Sequence, residues 1–449
     1  MRPVRRPSPP RPAPFPLRAS ANGRYLVDTS GTPTLLRCDE AWDAITQLSI
    51  AEVRQYLDDR KARGFNAVLV ELIESYFSQS PPANANGDIP FTGTIGGTTP
   101  DFTTPNPAYW SFVDSFVTEA RLRGISVMAA PLYQGSHNGL QGWYQQMLTN
   151  GTSGVQSFAT FLANRYRSAP NIIWCVGGDL DPNSTPNAMS GTGVTLLQTF
   201  ADTILSVDPT HLTTTHWDGH LSSDFGVSEM WKLNAIYRDL IVSADTLRAY
   251  AVSPTIPCFL IEAIGDGNTG AYSSNKDLRS QYWQVMTSGG CGADYCSDYI
   301  WPFGGTRTVS NPLITANNGP WTSHLGDASV VDYQRCLDFF AGIAWHTLVP
   351  DSSSLLVTSG RGTLGTQGYV CAAQSADQKL AVIYNLTGAT ITIAKGQMSL
   401  PFTATWFDPS NGATSPVSGS PFSTSGSQSI PTPGNNAAGD TDWAMLLQG

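Results

Sequence analysis

Charge is what this 449-residue sequence has least of. Only 13% of its residues are Asp, Glu, Lys or Arg, and 35 acids against 25 bases leave a net charge of −10. No basic surface is available to neutralise phosphates, which excludes nucleic acid as a partner and gives no attraction to anionic membranes. No run approaches the ~20 apolar residues of a transmembrane helix, so membrane insertion is excluded as well. HExxH, GxSxG and Walker A patterns are missing, and with them the main support for a zincin, an α/β-hydrolase or a P-loop enzyme. Cysteine is sparse and odd in number, with seven residues: Cys38, Cys175, Cys258, Cys291, Cys296, Cys336 and Cys371. Their spacing fits no zinc signature and no disulfide framework, although Cys291 and Cys296 are close enough to close a small loop. Three of the seven lie in apolar strand-like runs, where a thiol acts as a small buried hydrophobe.

The N-terminus has a basic start, MRPVRRPSPPRPAPFPLR, but no apolar core, so it is not a conventional signal peptide. Proline at this density opposes helix and sheet and favours an extended polyproline arm over residues 1–20. Such an arm is either a disordered tail or a tether that docks the protein on a larger assembly or a neighbouring subunit.

What the chain does have is 41% hydrophobic residues, 10% aromatics and an abundance of Gly, Pro, Ser, Thr and Asn. That composition suits a large core with long polar loops. It leads to the expectation of an extracellular or virion- or surface-associated location.

After a hairpin beginning near Asn22, apolar runs alternate with amphipathic stretches for roughly three hundred residues. TLLRCDE, FNAVLVEL, ISVMAAPLY, NIIWCVGGD, HLTTTHWDG, LNAIYRD, CFLIEAIGDG and DYIWPFGG read as eight strands. Ser49 with Glu52 forms a capping box opening the first helix, and Gly64 stops it. Strand–helix alternation implies parallel pairing through right-handed crossovers. The count of eight, with no glycine-rich phosphate loop after the first strand, favours an α/β fold of the (β/α)8 TIM barrel type over an open doubly wound sheet. The barrel is expected over residues 21–348. From Leu356 onward, short β runs separated by Gly, Ser and Pro turns predict a small antiparallel β-sandwich over residues 349–449. Its few aromatics read as core, so it is expected to brace the barrel rather than bind glycan.

Catalytic groups of such barrels sit at the C-terminal ends of the strands. Those ends carry many carboxylates and aromatics and no clustered histidines, which is the make-up of a glycosidase site. Asp179 ends the fourth strand after Gly177 and Gly178, and Glu262 emerges from the apolar seventh strand; these two are the expected catalytic pair. An acid in an apolar run needs a partner or a function, and the competing explanation is an ion pair with His216 or Arg238. Asp39, Trp42, Glu71, Tyr133, His216, Tyr237 and Trp301 are the expected substrate-binding residues. No metal and no organic cofactor is implied.

These segments resemble the apiosidase-like glycoside hydrolases, glycoside hydrolase family 140 and its relatives. RCDEAW is similar to that family's first-strand GDTAW, and YLDDRKARGFNAV to its first helix and second strand. FLANRYRSAPNIIWCVGGD resembles the segment ending in its catalytic acid, FLIEAIGDG the one carrying its second catalytic Glu, and ATWFDPSNG a sandwich turn. The resemblance implies a retaining mechanism with Asp179 as acid/base and Glu262 as nucleophile acting on a poly- or oligosaccharide. Cys38 and Glu40 depart from the pattern, standing where the family usually has Gly and Thr. The alternative is a glycan-binding or structural protein, such as a virion appendage or decoration protein, that keeps the barrel with little or no turnover.

Overall fold

The computed structural model describes residues 15–136, 139–180, 188–225, 231–267, 274–304 and 320–449. Most of the arm, and with it the docking role expected of it, lies outside the described residues. The arm's end is built in: Arg18–Ala19 pairs antiparallel with Leu26–Val27, which pairs in turn with Pro33–Thr34. The hairpin between the last two turns at Ser30–Gly31, where Asp28 Oδ1 accepts from Ser30 N and Thr32 N at 2.8 and 3.0 Å.

Eight parallel strands follow: β1 (Leu36–Glu40), β2 (Ala67–Glu71), β3 (Ser126–Ala130), β4 (Ile172–Gly178), β5 (Leu212–Trp217), β6 (Asn234–Tyr237), β7 (Cys258–Glu262) and β8 (Gly292–Tyr295). Their order in the sheet is β5-β4-β3-β2-β1-β8-β7-β6. Lys232 N and Leu233 N donate to Thr213 O at 3.1 and 3.2 Å and join the two end strands, closing the barrel. Every residue of β1–β5 and β8 is buried, as expected of near-continuous apolar strands covered on both faces. The residues of β6 and β7 that escape full burial are the last ones, Tyr237 and Glu262.

The outer layer consists of α1 (Ile50–Ala62), α2 (Pro107–Leu122), α3 (Tyr144–Tyr166), α4 (Gly191–Val207), α5 (Ser243–Tyr250), α6 (Asn275–Thr287) and α7 (Ala328–Ala341). The capping box at α1 forms in both directions, Glu52 N to Ser49 Oγ and Ser49 N to Glu52 Oε2. Gly64 follows α1 at φ 86°, a left-handed conformation that suits glycine.

Two antiparallel sheets of six and three strands complete the chain, beginning at Leu348–Pro350 and ending at Trp443–Gln448. The larger one packs on α6, where Trp283 stacks on Tyr384 with ring centres 5.6 Å apart. Arg279 of α6, almost wholly buried, crosses the same junction to Asp442 at 2.6 and 2.9 Å and to Asp440 at 2.6 Å. Among the described residues, no helix is long and apolar enough to cross a membrane.

Candidate active site

The C-terminal ends of the barrel strands open on a cavity of about 370 Å³. Asp179 and Glu262 both line it, together with Trp42, Glu71, Tyr133, His216, Tyr237 and Trp301. Asp179 stands one residue beyond β4, and the glycines before it are required by close packing. A Cβ on Gly177 would meet the His216 carbonyl oxygen at 2.4 Å, and one on Gly178 would meet Gln134 N at 2.7 Å. These glycines bring the end of β4 against β5 and against the segment that follows β3, and so set Asp179 beside His216.

His216, from β5, lies between the two acids. Its Nε2 is hydrogen-bonded to Glu262 Oε2, and its Nδ1 is 3.7 Å from Asp179 Oδ1. Tyr237 OH donates to Glu262 Oε1 at 2.8 Å. Glu262 thus accepts at both oxygens, an arrangement suited to a carboxylate. Arg238, the other partner considered for Glu262, is taken by Asp245 at 2.6 Å.

One ligand atom each from Asp179, His216 and Glu262 falls within 4.8 Å of the others, so the trio has the spacing to hold a metal ion. The two acids nevertheless face different nitrogens of the His216 ring rather than converging on one.

The two carboxyls differ in setting. Asp179 is pushed up from 3.8 to about 7, first by loss of water in the barrel mouth and next by the charge of Glu262; His216 and Tyr133 oppose the rise. Burial, the largest single influence, would lower the His216 imidazole, but Glu262, Asp179 and Asp218 together outweigh it and the net shift is upward. Around them Trp42 meets the His216 ring edge-on at 5.0 Å and the Tyr133 ring at 5.6 Å. Glu71 is buried and held well above the usual carboxylate range, first by burial and then by Glu74, Asp43 and Asp179.

Asp39, expected to bind substrate, is not in the cavity wall. It is buried behind β1, where it accepts from Tyr56 OH and pairs with Arg60 of α1 at 3.3 Å. Side chains alternate along a strand, so Asp39 faces the helix layer while its neighbour Glu40 faces the cavity. Asp266, another acid near a strand end, accepts from Ser329 Oγ instead. Sequence reasoning did not single out Phe77, Cys296 or Asp298, which also line the cavity. Phe77 meets Trp301 edge-on at 5.5 Å, and Asp298 Oδ1 accepts from Trp301 Nε1 at 3.0 Å. All three sit in loops, where no periodicity marks them.

Residues 20–347 match the family described as apiosidase-like, catalytic domain, and residues 349–448 match one described as the putative collagen-binding domain of a collagenase. Among solved structures, the chain is similar to a glycoside hydrolase with TM-score 0.78 and 19% identity, covering 96% of both chains. It is also similar to a glycoside hydrolase family 5 protein from Bacteroides vulgatus ATCC 8482, with TM-score 0.79 and 20% identity over 96% of this chain and 93% of that one. A putative glycoside hydrolase from the same organism follows with TM-score 0.66 and 12% identity, over 97% and 82%. At these identities the likeness shows a shared fold, that of glycoside hydrolases. No curated protein sequence matches the chain. The apiosidase-like match covers 328 of 449 residues, from the N-terminal hairpin to the end of the barrel, and the protein belongs to that family.

Proposed function

We propose that the protein is a retaining glycoside hydrolase, with Asp179 as general acid/base and Glu262 as nucleophile. The observation that carries this reading is the approach of the two acids across one cavity, with an oxygen of each within 4.8 Å of the other. Carboxyl groups ~5–5.5 Å apart characterise retention, whereas ~6.5–9.5 Å leaves room for the attacking water of inversion.

The chemistry follows from the two environments. Protonated Asp179 gives its proton to the glycosidic oxygen while a Glu262 oxygen attacks the anomeric carbon, releasing the leaving group as an alcohol. Esterified Glu262 carries no charge, so one of the influences that raise Asp179 disappears and the group becomes the base the second step needs. Asp179 then takes a proton from water, whose oxygen attacks the anomeric carbon and frees Glu262. The hydrogen bonds from Tyr237 and His216 hold Glu262 in line. Trp42, Tyr133 and Trp301 offer the rings that sugars pack against.

Turnover of a panel of aryl glycosides and plant or bacterial polysaccharides tests the reading, with Asp179→Asn and Glu262→Gln alongside. Hydrolysis by the wild type and its loss in both variants is expected. Glycan binding without turnover in any of the three would favour the alternative of a binding protein on a barrel scaffold.

A further inference from the structure

A third acid stands in the cavity wall without a role in that mechanism. Glu40, the last residue of β1, lines the cavity with 2% of its surface exposed. Its Oε2 accepts from Trp42 Nε1 at 3.0 Å, while its Oε1 is buried and has no hydrogen-bond partner. The Cys296 thiol lies beside the carboxyl but does not satisfy that oxygen. A buried polar atom left unpaired is costly, and one standing in the wall of a binding cavity calls for a partner that the cavity can bring to it.

We propose that Glu40 is a specificity-determining residue whose Oε1 hydrogen-bonds a hydroxyl of the sugar held between Asp179 and Glu262. The inference rests on the reading of the cavity as a sugar site.

The surroundings also set the direction of the bond. Burial holds Glu40 well above the usual carboxylate range, with Glu262 on β7 and Asp294 on β8 adding like charge; Cys296 and Trp42 oppose. A neutral acid whose Oε2 accepts from an indole N–H has its proton free to lie on Oε1, which makes that atom a donor. The sugar hydroxyl is therefore the acceptor. Gln at this position keeps a donor at the same reach. Thr, the residue of the family pattern, is shorter and leaves the hydroxyl without its partner.

The test uses binding and turnover as separate readouts on the wild type, Glu40→Gln and Glu40→Thr. Calorimetric binding is measured for a set of monosaccharides and their monodeoxy forms, and hydrolysis for the corresponding nitrophenyl glycosides. For one hydroxyl, its removal weakens binding to the wild type by roughly 10–100-fold. The same removal changes binding to Glu40→Thr by less than about threefold, because the partner is already gone. Glu40→Gln recovers most of the affinity lost in Glu40→Thr.

The proposal is overturned if the wild type hydrolyses a glycoside and no deoxy position shows this coupling, or if Gln and Thr are equally impaired. Binding with coupling but no hydrolysis would overturn the glycosidase reading and leave Glu40 as a sugar contact. Neither binding nor hydrolysis by the wild type would overturn both.

Discussion

Asp179→Asn separates a general acid from an acid that is only enclosed. In the wild type this carboxyl titrates at about 7 instead of 3.8, through exclusion of water first and the Glu262 charge second. At about pH 6, a group with that value is protonated in roughly nine molecules of ten, whereas an ordinary aspartic acid would be protonated in fewer than about one in a hundred. For a residue that acts as proton donor, such an environment is worth roughly 100-fold at that pH. kcat/KM should show a basic limb with its midpoint near 7, falling about tenfold per pH unit above it. The assay is kcat/KM from about pH 5 to 9 on two glycosides of the same sugar, one with a methoxide leaving group and one with dinitrophenolate. Asparagine cannot give up a proton, so the variant should lose ~10²–10⁴ on the methyl glycoside. The loss on the dinitrophenyl glycoside should be far smaller, because that group departs as a stable anion, and the limb near 7 should vanish. Equal losses on both substrates, or a limb that survives the substitution unmoved, would refute the reasoning.

Stability should fall as pH rises. Glu40, Asp43, Glu71 and Asp294 are buried and held above the usual carboxylate range, burial being the largest cause for each. Such groups bind more protons folded than unfolded, so Tm should be higher at about pH 5 than at about pH 8, and a Tm that climbs over this window would contradict the assignment. Arg279→Met leaves Asp442 fully buried without its cation and should cost ~3–5 kcal/mol in urea unfolding; a loss below ~1 kcal/mol would mean the barrel–sandwich junction does not depend on it. Asp39→Asn should destabilise by ~3 kcal/mol, through its lost pairing with Arg60, while KM changes by less than about twofold. A raised KM with unchanged melting would return Asp39 to the binding site.

Much of this architecture is legible in the sequence. Eight apolar runs with helices between them have few packing solutions, and the acid just after β4 and the acid that ends β7 both emerge at the same rim of a parallel barrel. The capping box at Ser49–Glu52 is a local motif and forms as written. What was not legible depends on the phase of the alternation and on loops. Asp39 and Glu40 are consecutive acids on one strand, and the sequence alone does not say which faces inward. Only the partner on α1, Arg60, shows that Asp39 belongs to the outer layer. Phe77 reaches the cavity from a loop held by Glu74, whose carboxylate accepts from the backbone N–H groups of Tyr76, Phe77 and Ser78. A carboxylate folded back on its own loop has no periodic signature. Cys296 and Asp298 follow β8 in a turn and come to the site through chain direction alone.

Capture of the intermediate tests the central claim most directly. A glycoside fluorinated beside the anomeric carbon and carrying a dinitrophenolate leaving group forms the covalent species quickly and releases it slowly. After incubation and proteolysis, mass spectrometry should find one sugar per chain, on the peptide containing Glu262, with none formed in Glu262→Gln. Label on another residue, or release of the phenol with overall inversion and no covalent species, would contradict the assignment of Asp179 and Glu262 to a single glycosidic bond.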